Sequence, residues 1–201
     1  MKEVIYDWLG LNEWLFRALY AFNFPYLDEV WKGLSYGYSY WVAAVIALGI
    51  SIRYLKTRHA APERQFEIMS ELMVVLLIGL SLVWCCVYTF QNITLYPRPW
   101  ALYPDLVPAQ DPLLWHEGLP ASAAAISMLV AGMFWRYAKG AHRVALFAYV
   151  ALGCLLSVMS GVNWPVEVVA GAILGFISVR FAHWYYRYGR KLVGRTSDCK
   201  Y

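Results

Sequence analysis

The residues in this chain whose types and spacing suit chemistry fall in two stretches. One is Ser157-Val-Met-Ser-Gly-Val-Asn163-Trp164-Pro165-Val166-Glu167. Here an Asn, an aromatic, a Pro and a Glu follow one another as at the start of a helix. Asn163 and Glu167 stand four residues apart, so on one helix both polar groups share a face at the mouth of an apolar segment. Such a pair can hold a polar ligand. It also fits an ordinary helix start, with Asn163 as N-cap, Pro165 just inside and Glu167 on the positive end of the helix dipole. The second stretch runs Gln91-Asn-Ile-Thr-Leu-Tyr-Pro-Arg98-Pro99 and resumes as His116-Glu117-Gly-Leu-Pro120-Ala-Ser-Ala123. Arg98, set between two prolines near aromatic residues, can bind a ligand phosphate or simply anchor the chain to lipid phosphates.

Composition fixes what kind of scaffold must position these groups. Of 201 residues, 61% are apolar and 15% charged, with mean hydropathy +0.46. Several runs approach the roughly 20 residues needed to cross a bilayer. These values exclude an ordinary soluble domain and predict an all-α, polytopic membrane helix bundle forming one domain over residues 1–201. The net charge of +4 is no nucleic-acid signature, because the basic residues collect at helix ends and form no basic stripe with interleaved aromatics. Membrane lipids or other membrane-protein subunits are the expected partners. Cys85, Cys86, Cys154 and Cys199 show neither metal-ligand spacing nor a disulfide framework, so no metal and no cofactor is expected.

In chain order, residues 4–22 mix Asp7, Asn12, Glu13 and Arg17 with Leu, Trp, Phe and Tyr at helical spacing, which predicts an amphipathic helix lying in the membrane interface. A turn follows at 23–28. Five spanning segments are expected at about 36–52, 69–90, 119–134, 144–161 and 165–181. Between the second and third lies a proline-rich loop, 91–118, whose length favours a binding or lid role. Lys and Arg at 53, 56, 58, 64, 136, 139, 143, 180, 187, 190, 191, 195 and 200 fall on one side. Lys2, Arg17, Lys32 and Arg98 fall on the other. The richer side should be cytoplasmic, leaving the 91–118 loop and the 162–164 turn outside. His59, His142 and His183 then lie across the bilayer from the polar stretches, and only His116 shares their side. Ala121 to Ala125 and the Gly171, Gly175 pair should let the third and fifth spans approach closely.

The spacing of the polar stretches resembles the type-2 phosphatidic acid phosphatase superfamily. Its first motif is Lys, six residues, Arg-Pro; its second is Pro-Ser-Gly-His; its third is Ser-Arg, five residues, His, three residues, Asp. Here Arg98-Pro99 matches the end of the first motif, with Gln91 where its Lys would stand. Pro120-Ala-Ser-Ala123 lies over the second, with Ala123 at the histidine. In the third, Leu156-Ser157 replaces Ser-Arg, Asn163 replaces the histidine and Glu167 the aspartate. The resemblance also extends to the amphipathic start and the order of helices.

The resemblance implies a phosphatase fold and, at these positions, a dismantled catalytic centre. In the family the third-motif histidine attacks phosphorus, the aspartate orients it, the second-motif histidine protonates the leaving group, and Lys and Arg hold the phosphate. Asn163 offers no nucleophilic nitrogen. Ala123 cannot donate a proton. Gln91 and Ser157 remove two of three expected cations. The expected function is therefore non-catalytic: a remnant pocket of Gln91, Arg98, Ala123, Ser157, Asn163 and Glu167 that holds a polar or phosphorylated lipid head group, or a structural subunit of a membrane assembly. The alternative is an active phosphatase on a lipid phosphate or polyprenyl diphosphate, its centre rebuilt on His116, Glu117 and Glu167. The expected location is a bacterial inner membrane.

Overall fold

The computed structural model describes residues 8–22, 38–57, 62–93, 97–105, 107 and 119–198. The turn expected at 23–28, and both His116 and Glu117, lie outside the described residues. Among them the regular elements are all helical. A 3-10 turn, Trp8–Gly10, leads into α1 (Leu11–Tyr20). Then come α2 (Tyr40–Thr57), α3 (Pro62–Ile93), the single-turn α4 (Pro99–Leu102), α5 (Ser122–Trp135), α6 (Ala141–Met159) and α7 (Pro165–Asp198).

Three of these helices contain stretches long and apolar enough to cross a membrane: Glu63–Ile93, Ala141–Met159 and Pro165–Leu192. The apolar parts of α2 and α5, Val42–Arg53 and Ser122–Trp135, are shorter. The 14 residues of α5 rise only about 21 Å, less than the roughly 30 Å of a hydrocarbon core.

The helices coincide with the five apolar runs of the sequence, but their ends differ. Helix α3 starts at Pro62, seven residues before the apolar run, because the fixed φ of proline suits a first helical position and Glu63, Arg64 and Gln65 are good helix formers. Helix α7 continues through the basic stretch expected to be a tail, since nothing from Phe181 to Arg190 stops it but one glycine in open space. Helix α5 begins later than expected. Its preceding residue, Ala121, is extended and donates its N–H to the Glu167 carbonyl of α7 at 2.9 Å.

Helix α5 is the axis of the bundle. Ala124, Ala125, Ile126, Leu129, Val130, Met133 and Phe134 are all buried, the pattern of a helix apolar on every side. Leu72, Val75 and Val83 of α3 and Val179 and Ala182 of α7 complete one core with it. The close approach of α5 and α7 depends on Gly171 and Gly175, where a Cβ would collide with the Ala121 and Ala125 carbonyl oxygens. Outward, Val45, Leu77, Phe147 and Ile177 are each more than half exposed, an apolar exterior of the kind lipid tails cover.

Two polar clusters mark the two ends. At one, the buried Glu71 carboxylate of α3 accepts from Arg136 and, at 2.9 Å, from the Tyr137 hydroxyl, while His183 Nδ1 of α7 lies 3.0 Å away. Nearby, Ser70 meets the Tyr186 hydroxyl at 2.9 Å and Glu67 pairs with Arg190. These contacts place the start of α3 beside the ends of α5 and α7, so Arg64, Arg136, Arg187 and Arg190 share that end. At the other, Gln91 Nε2 reaches the Pro120 carbonyl at 3.4 Å.

Candidate functional site

The second end holds the polar residues singled out in the sequence. Arg98 lies on the extended chain ahead of α4 (φ −70°, ψ 160°), a conformation imposed by the proline that follows it. The Ala101 and Leu102 amides bond back to its carbonyl at 3.0 and 3.2 Å, and Pro99 and Trp100 are buried beneath. The Trp164 indole Nε1 donates to the Pro97 carbonyl at 3.0 Å, tying this segment to the start of α7.

The Arg98 side chain is 3% exposed. Its Nη1 donates to the Val162 carbonyl at 2.7 Å and to Asn163 Oδ1 at 3.2 Å. These two contacts help to fix the fork of the guanidinium. Asn163 is thus the partner of Arg98 rather than a helix cap. Helix α7 starts at Pro165 and the residue before it is Trp164, so the N-cap role expected for Asn163 falls one residue later, on a side chain with no acceptor oxygen.

The missing cap functions are divided between two other residues. Glu167, fully buried, turns its carboxylate back to accept the Trp164 N–H at 2.9 Å, the reciprocal half of a capping box. The Val166 N–H goes to Asn12 Oδ1 of α1 at 3.0 Å. Asn12 is 1% exposed, and beside it Phe16 is fully buried against Trp164, ring centroids 5.3 Å apart. Helix α1 is amphipathic as expected, with Leu11 and Trp14 exposed, but Asn12 belongs to its inner face. On the same helix Glu13 and Arg17 pair at 2.9 Å, and the Arg17 guanidinium lies over the Tyr103 ring at 4.7 Å. A hydrogen bond with Tyr103, reinforced by Arg17, holds the Glu13 carboxyl below its ordinary range.

A cleft of about 300 Å³ opens beside Arg98, lined by Tyr40, Trp84, Val87, Tyr88, Gln91, Arg98, Ser122, Val162 and Asn163. Of the six residues expected to form a pocket, Gln91, Arg98 and Asn163 line it. Ala123, Ser157 and Glu167 do not. The Ser157 hydroxyl bonds to the Gly153 carbonyl one turn back on α6 at 2.9 Å, and Glu167 is occupied in the capping box. The turn between α6 and α7 needs Gly161, at φ 70°, where a side chain would also strike Val107.

Sequence reasoning passed over the apolar half of the cleft. Trp84, Tyr88 and Gln91 recur at helical spacing on α3 and form one stripe, so that signal was available. Trp84 and Tyr88 stack at 5.8 Å and are both more than half exposed. No such signal existed for Asn12, whose partner lies 154 residues away. Among the described residues no group of three or more His, Cys, Asp or Glu side chains is arranged to hold a metal ion.

No protein-family model matches the chain, and no curated protein sequence matches it significantly. Its structure is similar to the crystal structure of Aquifex aeolicus LpxE, with a TM-score of 0.65 over 86% of this chain and 94% of that one, at 23% identity. That likeness is one of fold. The chain has the fold of that protein.

Proposed function

We propose that this protein is a catalytically degenerate lipid-phosphatase-like membrane protein that holds a phosphorylated lipid head group at Arg98 without hydrolysing it. The observation that carries this reading is the setting of Arg98: a nearly buried guanidinium in the wall of a cleft, held in part by the Val162 carbonyl and the Asn163 amide oxygen of the 162–163 turn. A phosphate suits such a fork because it presents several anionic oxygens at matching spacing. Gln91, Ser122 and Asn163 add neutral hydrogen-bonding groups around it.

The shape of the cleft favours an amphiphile. Its polar end is Gln91, Arg98, Ser122 and Asn163, and its other end is Tyr40, Trp84, Val87 and Tyr88. Aromatic side chains of that kind sit well at the level where head groups meet acyl chains. In the same reading α2, α3, α5, α6 and α7 all cross a bacterial inner membrane as one domain, α5 through locally thinned lipid. The 91–118 loop lies outside and the Arg64, Arg136, Arg190 end inside.

Catalysis has little to work with at the matched positions. Asn163 cannot form a phosphoenzyme, Ala123 has no proton to give, and Glu167 is committed to the Trp164 N–H. The test is equilibrium binding of the purified protein to phosphatidylcholine vesicles with and without phosphatidic acid. Binding that rises with phosphatidic acid and weakens in Arg98→Ala supports the reading. Equal binding to both vesicles, or an Arg98→Ala protein indistinguishable from the unaltered one, overturns it.

A further inference from the structure

The first turn of α7 can be accounted for donor by donor. Pro165 has no N–H, the Trp164 N–H goes to the Glu167 carboxylate, and the Glu167 and Val168 amides bond to the Trp164 carbonyl at 3.0 and 3.2 Å. That leaves Val166, whose N–H is taken by the Asn12 amide oxygen. An unmet donor at a buried helix start is costly. The acceptor comes from another element because Trp164 has none and Asn163 is engaged with Arg98.

Helix α1 also holds the two segments that meet at the cleft. Phe16 packs on Trp164 at 5.3 Å and on Tyr103 at 6.2 Å, and Tyr103 meets Trp164 edge-on at 6.2 Å. Trp164 follows Asn163 directly, and Tyr103 closes the turn that begins at Arg98. The inner face of α1 therefore clasps both halves of the Arg98–Asn163 contact. Its outer face exposes Leu11 and Trp14 at 48% and 62% beside the exposed, paired Arg17 and Glu13, a mixture that suits a membrane surface.

We propose that Asn12 is a positioning residue: it completes the start of α7 and so transmits the seating of α1 on the membrane surface to the 162–163 turn that orients Arg98. This rests on the head-group reading for its consequence, but not for its test. Hydrogen–deuterium exchange of the amides at 162–168 is measured in phosphatidylcholine nanodiscs without any lipid phosphate. Asn12→Ala should speed exchange there about fivefold, the factor that corresponds to a typical lost helix cap, and leave the 126–134 amides protected. Asn12→Asp, which keeps an acceptor oxygen in place, should restore protection. Trp14→Glu, which puts a charge on the outer face of α1, should speed the same amides.

Unchanged exchange at 162–168 in Asn12→Ala, or in Trp14→Glu, overturns the inference. A second arm measures phosphatidic acid affinity. Where the unaltered protein binds, Asn12→Ala should weaken binding about fivefold, and unchanged affinity alongside faster exchange also overturns the inference. If the unaltered protein does not bind phosphatidic acid, the head-group reading fails and the exchange results alone decide for or against the coupling.

Discussion

In the proposed reading, Arg98 concentrates the chemistry of this molecule in one side chain. Removing it should weaken phosphatidic acid binding about ten- to a hundredfold, the range for hydrogen bonds to a charged group. Arg98→Lys should recover only part of that, because an ammonium cannot reach two oxygens in a fixed fork. Titration of the vesicle-bound fraction against phosphatidic acid content reads both. A second residue-scale prediction concerns pH. Tyr103 and Arg17 depress the folded pKa of Glu13 below its ordinary 4.5. Its contribution to the docking of α1 is therefore complete above pH 4.5 and lost as pH falls through the lower, folded value. Trp fluorescence of α1 docking should show that loss on acidification, shallow because the pair is half exposed, and Glu13→Gln should remove it. Arg98 was legible in the sequence from its prolines and motif spacing. The engagement of Asn163 was not, because a cap and an arginine partner use the same amide oxygen and only the fold decides between them.

At the scale of elements, the start of α7 and its packing on α5 set the site. Glu167→Ala should lower stability by about 1–2 kcal/mol through loss of the capping box, whereas Glu167→Gln keeps an acceptor and should lose less. Gly175→Leu should be more damaging. The added atoms meet the Ala125 carbonyl, and overpacking costs about 1–3 kcal/mol or more when backbone must move. Thermal unfolding in one detergent would rank the three variants. Positions of the helices followed from apolar runs, since hydropathy marks where a helix is greasy. Their ends did not, because α3 and α7 continue as helix into polar sequence that is equally helix-competent. Asn12 was the hardest to foresee: an amphipathic pattern shows that a helix has two faces, but an asparagine reads as polar until its partner is placed.

At the scale of the whole molecule, the two polar clusters sit at opposite ends of an apolar bundle, and the basic residues favour the Glu71 end. Cysteines introduced singly at 101–105 and at 62–64, in a protein freed of its own cysteines, should react with an impermeant reagent from outside in the first set only. Outside labelling at 62–64 would reverse the topology. The fold itself was legible because motif spacing and helix order together constrain it. Activity was not, because fold likeness carries no information about which side chains act. The most direct test incubates the purified protein with phosphatidic acid in vesicles and measures retained lipid and released phosphate in the same sample. Lipid retained in an Arg98-dependent way with no phosphate released is the predicted result, since in the proposed reading a centre without nucleophile, acid and two cations would lack most of the roughly 8 kcal/mol or more that enzymes supply. Phosphate release that disappears in Arg98→Ala and in His116→Ala would contradict it and establish a working, rebuilt phosphatase centre.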